Sequence, residues 1–257
     1  MSEDIIKQGS VITENKDGVT TITFFHPAHN SLPGKLLAEL AAAIDAAGKD
    51  AATKVVVLKS AGDRTFCAGA SFDELISLED FDTGKKFFLG FANVINALRK
   101  CPKFVIGRVQ GKAVGGGVGV ASAVDYCLAT KYASVKLSEL AVGIGPFVVG
   151  PAVERKIGTS AMSQLAINAT EWQTADWAKN KGLYTDVFDS VEEMDAAIDA
   201  LTTKLITSNP QAMQMLKGIF WKGCENWDAL LDERAAMSGE LVLSDFTKEA
   251  IGKFKGK

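Results

Sequence analysis

Two glycine-bearing stretches constrain the fold of this chain more than any other feature. The first is the turn Phe66-Cys67-Ala68-Gly69-Ala70, and the second is the run Gly115-Gly116-Gly117-Val118-Gly119. Each follows a run that is typical of a strand. A glycine costs a helix about 1 kcal/mol relative to alanine, so four glycines in five residues indicate that the backbone approaches another group closely. Bare amides from two such stretches can meet around one oxygen atom, which is the arrangement of an oxyanion hole.

The apolar pattern predicts an α/β core followed by helices. Asp17-Gly18 lies between two β-rich runs and predicts a hairpin. Strands and helices then alternate, which favours parallel pairing. The expected strands are residues 55–58, 104–106, 126–129 and 135–137, and the expected helices are 36–47, 87–98 and 115–123. Beyond residue 150 we expect helices only, beginning at a capping box at Ser190, at Asn209-Pro210 and near Trp227.

Charge and composition exclude several classes of protein. The net charge is −3 and the basic residues are scattered, so we expect no nucleic-acid partner. No apolar stretch reaches the roughly 18 residues that span a bilayer, and the acidic N-terminus does not resemble a signal peptide. The four cysteines form no CxxC pair and are typical of reduced thiols. These features predict a cytoplasmic protein without a membrane partner.

Other chemistries fit the residues poorly. The third glycine of a dinucleotide fingerprint is replaced by Val120, and no acid ends the next strand. His26 and His29 are the only histidines, so we expect no zinc site. Cys67 has no histidine near it in sequence to activate it. A serine-hydrolase elbow is absent.

One acid stands out. Glu139 follows the expected strand at 135–137 and lies in an otherwise apolar stretch that runs to Val149. Such an acid is salt-bridged, exposed or functional. Partial burial would raise its pKa and make it a usable base near neutral pH.

The chain resembles the crotonase (enoyl-CoA hydratase/isomerase) superfamily over nearly its whole length. The first family motif, F-x-A-G-A-D-hydrophobic-x-E, is similar to residues 66–74, and the second, G-x-A-x-G-G-G-x-x-x-A, matches residues 111–121. The Pro-Glu-x-x-x-G strand end resembles Ser138 to Gly143, and a later A…GL element resembles Ala175 to Leu183.

The resemblance implies a spiral of ββα units with two roughly perpendicular sheets in residues 1–195. It also implies a C-terminal helical trimerisation region in 196–257, giving a homotrimer or a dimer of trimers. The amides of Ala70 and Gly116 should hold the thioester oxygen of an acyl-CoA, and Glu139 should lie near its α-carbon. No cofactor is expected beyond the coenzyme A of the substrate. We expect further substrate contacts from Ala68, Phe72, Gly115, Gly119, Phe147, Phe246 and Lys253.

The sequence departs from the hydratase pattern where a second glutamate is usual. That position is Gly119, and Ser71 replaces the aspartate of the first motif. The loop 143–150 also differs from the usual glycine-rich form. A single Glu139 suffices to carry a proton between C2 and C4, so double-bond isomerisation is slightly favoured. Hydration or dehydration stays open, with space at Gly119 for a water or a branched, methylglutaconyl-type acyl group. A low-turnover thioester-binding subunit is the third alternative.

Overall fold

The spiral core of the chain consists of two sheets. The computed structural model describes residues 8–255, so Met1 to Asp4 and the last two residues of the basic tail lie outside the described part. Within it the strands are β1 Ser10–Lys16, β2 Val19–Phe25, β3 Val55–Ser60, β4 Thr65–Cys67, β5 Phe104–Val109, β6 Lys112–Val114, β7 Tyr126–Thr130, β8 Val135–Lys136 and β9 Asp186–Phe188. One sheet has the order β1-β2-β3-β5-β7-β9, and the other has the order β4-β6-β8.

Each turn of the spiral contributes one strand to each sheet. The pairs β3/β4, β5/β6 and β7/β8 follow one another along the chain, and all their neighbours in both sheets run parallel. The antiparallel hairpin β1/β2 begins the large sheet, as Asp17-Gly18 predicts. Because β4, β6 and β8 run parallel, their carboxyl ends lie at the same edge of the small sheet. This edge is where the two glycine stretches and Glu139 begin.

Helices cover the sheets and fill the C-terminal third. Their bounds are α1 Gly34–Lys49, α2 Phe72–Ile76, α3 Phe81–Lys100, α4 Gly116–Ala123, α5 Gly150–Ile167, α6 Ala175–Asn180, α7 Val191–Ile206, α8 Pro210–Phe220, α9 Trp227–Leu241 and α10 Asp245–Lys255. In the described part, none is long and apolar enough to cross a bilayer.

Two expectations about the C-terminal third need correction. A strand does occur beyond residue 150, because β9 pairs with β7 at the edge of the large sheet. The capping box at Ser190 is only half formed: its hydroxyl accepts the amide of Glu193, but the Glu193 carboxylate accepts the amide of Asp189 instead. The helix α5 was not anticipated from the sequence; it bends at Gly158, whose φ is 74°.

The C-terminal helices share the core of the sheets. The predicted division after residue 195 falls within α7, which packs Met194 and Ile198 against Val57 and Leu128 of the large sheet. Trp227 and the helix α9 belong to the main hydrophobic cluster. Packing therefore gives no domain boundary at residue 195, and trimerisation through this region stays a prediction.

A buried ion pair joins α8 to the large sheet. The Nζ of Lys217 lies 2.8 Å from a carboxylate oxygen of Asp125, and both side chains are at least 95% buried. Lys217 also donates to the carbonyl of Lys103, while Asp125 accepts from the amide of Val105 and the indole of Trp221. Each charge thus has hydrogen-bond partners besides the other, which helps to compensate for the burial of the pair.

We expect Lys217→Met to lower the free energy of unfolding by about 3–5 kcal/mol, because the Asp125 carboxylate would remain buried without its counter-charge. Lys131→Met is the matched control, since Lys131 pairs with Asp189 at the surface; it should cost less than about 1 kcal/mol. Urea unfolding of both variants measures the difference. Equal effects would show that the buried pair does not anchor α8.

Candidate functional site

The two glycine stretches meet at the edge of the small sheet. Strand β4 pairs with β6, so the turn after Cys67 lies beside the turn after Ala113. Gly69 has a φ of +90°, and a Cβ built on it would stand 3.0 Å from the carbonyl oxygen of Val114 and 3.6 Å from the amide nitrogen of Gly116. The turn that ends in Ala70 is therefore in contact with the first residue of α4.

Backbone hydrogen bonds hold the turn at residues 66–70 in place but do not involve the amide of Ala70. Ala68 donates to the carbonyl of His29, Leu32 donates to Gly69, and Ser71 donates to Leu32. The amide of Ala70 takes no part in these bonds, and no other described residue accepts from it. Gly116 is the first residue of α4, so its amide has no partner inside the helix. Two free donors from adjoining segments are what an oxyanion site requires.

Glu139 begins a short 3-10 helix, Glu139–Val142, that follows β8. The sequence placed it at the end of a strand, and the strand ends three residues earlier, at Lys136. Gly115 donates its amide to the carbonyl of Lys136, which ties the glycine run to this segment. A Cβ on Gly115 would lie 2.8 Å from the Oε1 of Glu139, and the φ of Gly115 is +52°. Glycine is thus required at 115 both by backbone conformation and by contact with the carboxyl group.

Burial controls the ionisation of Glu139. Its Oε2 is buried and has no hydrogen-bond partner among the described residues, although the residue keeps some surface toward the pocket. Desolvation raises the pKa of Glu139 to about 7, and a backbone hydrogen bond opposes this in part. The carboxyl group can therefore both accept and return a proton near neutral pH.

A mostly apolar pocket surrounds these groups. It encloses about 660 Å³, part of which is open to solvent. Of the predicted site residues, seven line this pocket: Ala68, Ala70, Phe72, Gly115, Gly116, Glu139 and Phe147. Among residues 8–255, the only polar side chains in its lining are Ser138, Glu139 and Ser238, and Glu139 is the only ionisable one.

The expected space at Gly119 does not exist. Gly119 is buried and does not line the pocket. A Cβ at this position would lie 2.5 Å from a methyl carbon of Val149, so the Val149 side chain occupies the place of a substituent at 119. The expectation of a water or acyl branch beside Gly119 is therefore wrong, because an apolar side chain fills the gap and lines the pocket in its stead.

Phe246 and Lys253 lie on the other side of the Glu139–Val142 turn. Helix α10 packs on that turn, and a Cβ on Gly143 would touch Thr247 and Phe246. Phe246 and Lys253 line a separate outer pocket with Ala141. Within one chain the structure does not bring them to Glu139, and their contact with a neighbour's substrate stays a prediction.

The rival chemistries gain no support from the structure. Cys67 is fully buried, and desolvation raises the pKa of its thiol to about 12, so it is not a thiolate near neutral pH. Burial lowers the pKa of His26, whose Nδ1 lies 3.2 Å from the hydroxyl of Ser31. Within residues 8–255 no group of three potential metal ligands occurs.

Sequence reasoning missed several residues of the pocket wall. Phe88 and Phe91 from α3 line it, as do Val149 and Ser238. The ring of Phe91 fills the place that a Cβ on Gly116 would take, which explains the second glycine of the triplet. The apolar stripe of α3 predicts burial for Phe91, but no sequence signal distinguishes a core position from a pocket wall. Ser238 lies 120 residues after Val118 of the second glycine stretch and belongs to no sequence motif.

Several known proteins are similar to this chain over most of its length. A family model described as enoyl-CoA hydratase/isomerase matches residues 14–257. A short-chain-enoyl-CoA hydratase of Clostridium acetobutylicum is 30% identical over 249 residues, which cover 95% of this chain and 94% of that protein. A peroxisomal Delta(3,5)-Delta(2,4)-dienoyl-CoA isomerase of Arabidopsis thaliana is 24% identical, covering 98% and 95%. The crystal structure of an enoyl-CoA hydratase from Bacillus halodurans, 20% identical, has a TM-score of 0.88 over 95% of this chain and 99% of that one, and confirms the predicted fold.

Gly119→Ala should lower stability by about 1–3 kcal/mol, because the added methyl group overlaps Val149. Combining it with Val149→Gly, itself costly, should remove most of this penalty and give a clear coupling energy in a double-mutant cycle. The control is Gly218→Ala in α8, where a Cβ would meet nothing within 4 Å; it should be neutral or stabilising by up to about 1 kcal/mol. Additive effects at 119 and 149 would contradict the contact.

Glu139→Gln should change how stability depends on pH. Because the folded-state pKa of Glu139 is raised, to about 7 from a usual 4.5, its protonation favours the folded state. That contribution is fully present below about pH 4.5 and is lost as pH rises through about 7. The stability of the wild type relative to Glu139→Gln should therefore fall by about 3 kcal/mol between pH 4.5 and pH 8. Denaturant titrations across this range measure it, and a constant difference would refute the raised pKa.

Proposed function

Because the chain belongs to the enoyl-CoA hydratase/isomerase family, we propose that it shifts the double bond of an enoyl-CoA thioester, with Glu139 as the single acid and base. The observation that carries this proposal is the lone carboxyl group in the pocket. Glu139 is the only ionisable side chain in the lining, and Val149 occupies the space of a second carboxylate. One carboxyl group with a pKa of about 7 suffices for a proton transfer within one substrate.

Glu139 alone can carry out both proton transfers of this reaction. The carboxylate takes a proton from C2 of a 3-enoyl thioester, and the electron pair of the broken C–H bond moves toward the thioester carbonyl. The resulting dienolate carries its negative charge on oxygen and on C4. Protonated Glu139 then returns the proton to C4, which gives the 2-enoyl thioester and restores the carboxylate. No cofactor enters this sequence beyond the coenzyme A of the substrate.

The amides of Ala70 and Gly116 supply the electrostatic stabilisation of the dienolate oxygen. They are main-chain donors on segments held by hydrogen bonds and by the β4–β6 pairing, so they need no reorganisation when charge develops. Each such donor typically contributes a factor of about 100 to 1,000 in rate. The apolar walls strengthen both interactions, because they keep water from the developing charge.

Hydration of a 2-enoyl thioester is the second candidate. The relative from Clostridium acetobutylicum that is 30% identical is a short-chain-enoyl-CoA hydratase, which favours this reading. Glu139 would then have to activate the water and also supply the proton for C2. Isomerisation stays first because it asks no more of the site than one carboxyl group.

Assembly as a homotrimer, or as a dimer of trimers, is part of the proposal. Phe246 is 68% exposed in the single chain, and with Lys253 it lines the outer pocket on α10. In an oligomer this surface would contact a neighbouring chain and add an aromatic ring and a cation to the coenzyme A site. Light scattering of the purified protein gives the oligomeric state.

Incubation with 3-enoyl-CoA and 2-enoyl-CoA in deuterated water, read by mass spectrometry, separates the reactions. Isomerisation gives 2-enoyl-CoA without the mass of water, whereas a 3-hydroxyacyl product would assign hydration. For either reaction, kcat/KM should rise with pH through about 7 as Glu139 loses its proton. Glu139→Gln should lower kcat at least about 1,000-fold while leaving thioester affinity within a few-fold.

Exposed Glu171 provides the matched control, since Glu171→Gln makes the same chemical change outside the pocket. That variant should retain full activity. A wild type that binds thioesters but turns none of them over would favour the binding-subunit alternative and overturn both catalytic proposals.

A further inference from the structure

The pocket around Glu139 has a mouth and a deep end. Phe72, which lines it, is 43% exposed and marks the side that is open to solvent. Ser238 lines the same pocket but is only 1% exposed. Ser238 belongs to α9, far along the chain from every residue assigned to the reaction. An acyl chain that enters past Phe72 and places its carbonyl at Gly116 must therefore extend toward Ser238.

Helix α3 runs between the reacting end and the deep end of the pocket. Its Phe91 ring packs on Gly116, which supplies an oxyanion donor. Its Gly84, seven residues earlier, packs on α9: a Cβ there would lie 3.0 Å from the carbonyl oxygen of Gly239. Seven residues of α-helix span about 10 Å. Ser238, the neighbour of Gly239, thus lies at a level of α3 that is about 10 Å along the helix axis from Phe91.

Close backbone packing fixes this end of the pocket. A Cβ on Gly239 would lie 2.6 Å from the amide nitrogen of Lys85, so α9 and α3 touch with no side chain between them. Ser238 donates its hydroxyl to the carbonyl of Arg234, one turn earlier in α9, at 3.2 Å. The side chain is therefore held toward its own helix, and the wall can retreat only if the helix pair separates.

We propose that Ser238 forms the end wall of the acyl pocket and limits the acyl chain to about eight carbons. This inference rests on the proposed action on acyl-CoA thioesters. Carbon–carbon bonds of about 1.5 Å advance an extended chain by about 1.3 Å each, so an acyl chain that runs along α3 covers this axial offset of about 10 Å with about eight carbons. Shorter chains leave the deep end empty, and longer chains must displace α9. The preferred substrates are therefore medium-chain enoyl thioesters.

Binding of saturated acyl-CoA thioesters tests the wall without turnover. Calorimetry with butyryl-, octanoyl- and dodecanoyl-CoA should give the tightest binding for octanoyl-CoA in the wild type. Ser238→Leu should weaken octanoyl-CoA at least about 10-fold and leave butyryl-CoA within 2-fold, since one or two methylene groups decide the fit to an apolar pocket. Ser238→Val, a smaller change that keeps the fold if leucine does not, should shift affinity in the same direction.

The control is Ser163→Leu, because Ser163 also donates to a carbonyl of its own helix but lies at the surface of α5. It should leave the chain-length profile unchanged. Equal weakening of all thioesters by Ser238→Leu and Ser238→Val, or no effect on any, would overturn the end wall while leaving the proposed function intact. Failure of the wild type to bind every thioester would instead overturn the proposed function, and this inference with it.

Discussion

The contact between the Glu139 carboxyl group and the backbone of Gly115 is the constraint on which the site depends. The Cβ of any other residue at 115 would lie only 2.8 Å from the Oε1 of Glu139, so the carboxyl group would have to move. The hydrogen bond from the Gly115 amide to the carbonyl of Lys136 holds the two segments together beyond the short pairing of β6 with β8. Because Gly115 precedes the first residue of α4, the same contact sets the distance between the base and the Gly116 amide. One close approach thus positions both the Glu139 carboxyl group and the Gly116 amide relative to each other.

The sequence predicts the features of the fold whose signals are local. The hairpin at Asp17-Gly18, the helix α4 and the bare turns before Ala70 and Gly116 follow from turn residues and from the cost of glycine. Strand β9 could not be predicted from the sequence, because its three residues are too few to show a periodic pattern. Helix α5 could not be predicted because Gly158 interrupts it and weakens its apolar stripe.

The wall of the pocket could not be predicted, because it depends on contacts between segments that are distant in the chain. Gly119 suggested an empty space, because the sequence shows that a side chain is missing there but not which neighbour fills its place. The structure instead places Val149 there, thirty residues later. Ser238 comes from a helix to which the family resemblance gives a role in assembly, yet α9 packs so closely on α3 through Gly239 that the preceding residue, Ser238, reaches the pocket. Packing of this kind cannot be read from spacing.

Filling the place of a second carboxylate with Val149 has a consequence for the carboxylate that remains. A like charge beside Glu139 would also raise its pKa, but the pair would then titrate together and share a proton. With an apolar neighbour, desolvation is the main cause of the raised pKa. Because burial and not a second charge raises it, this pKa should respond to any change in the access of water to the pocket.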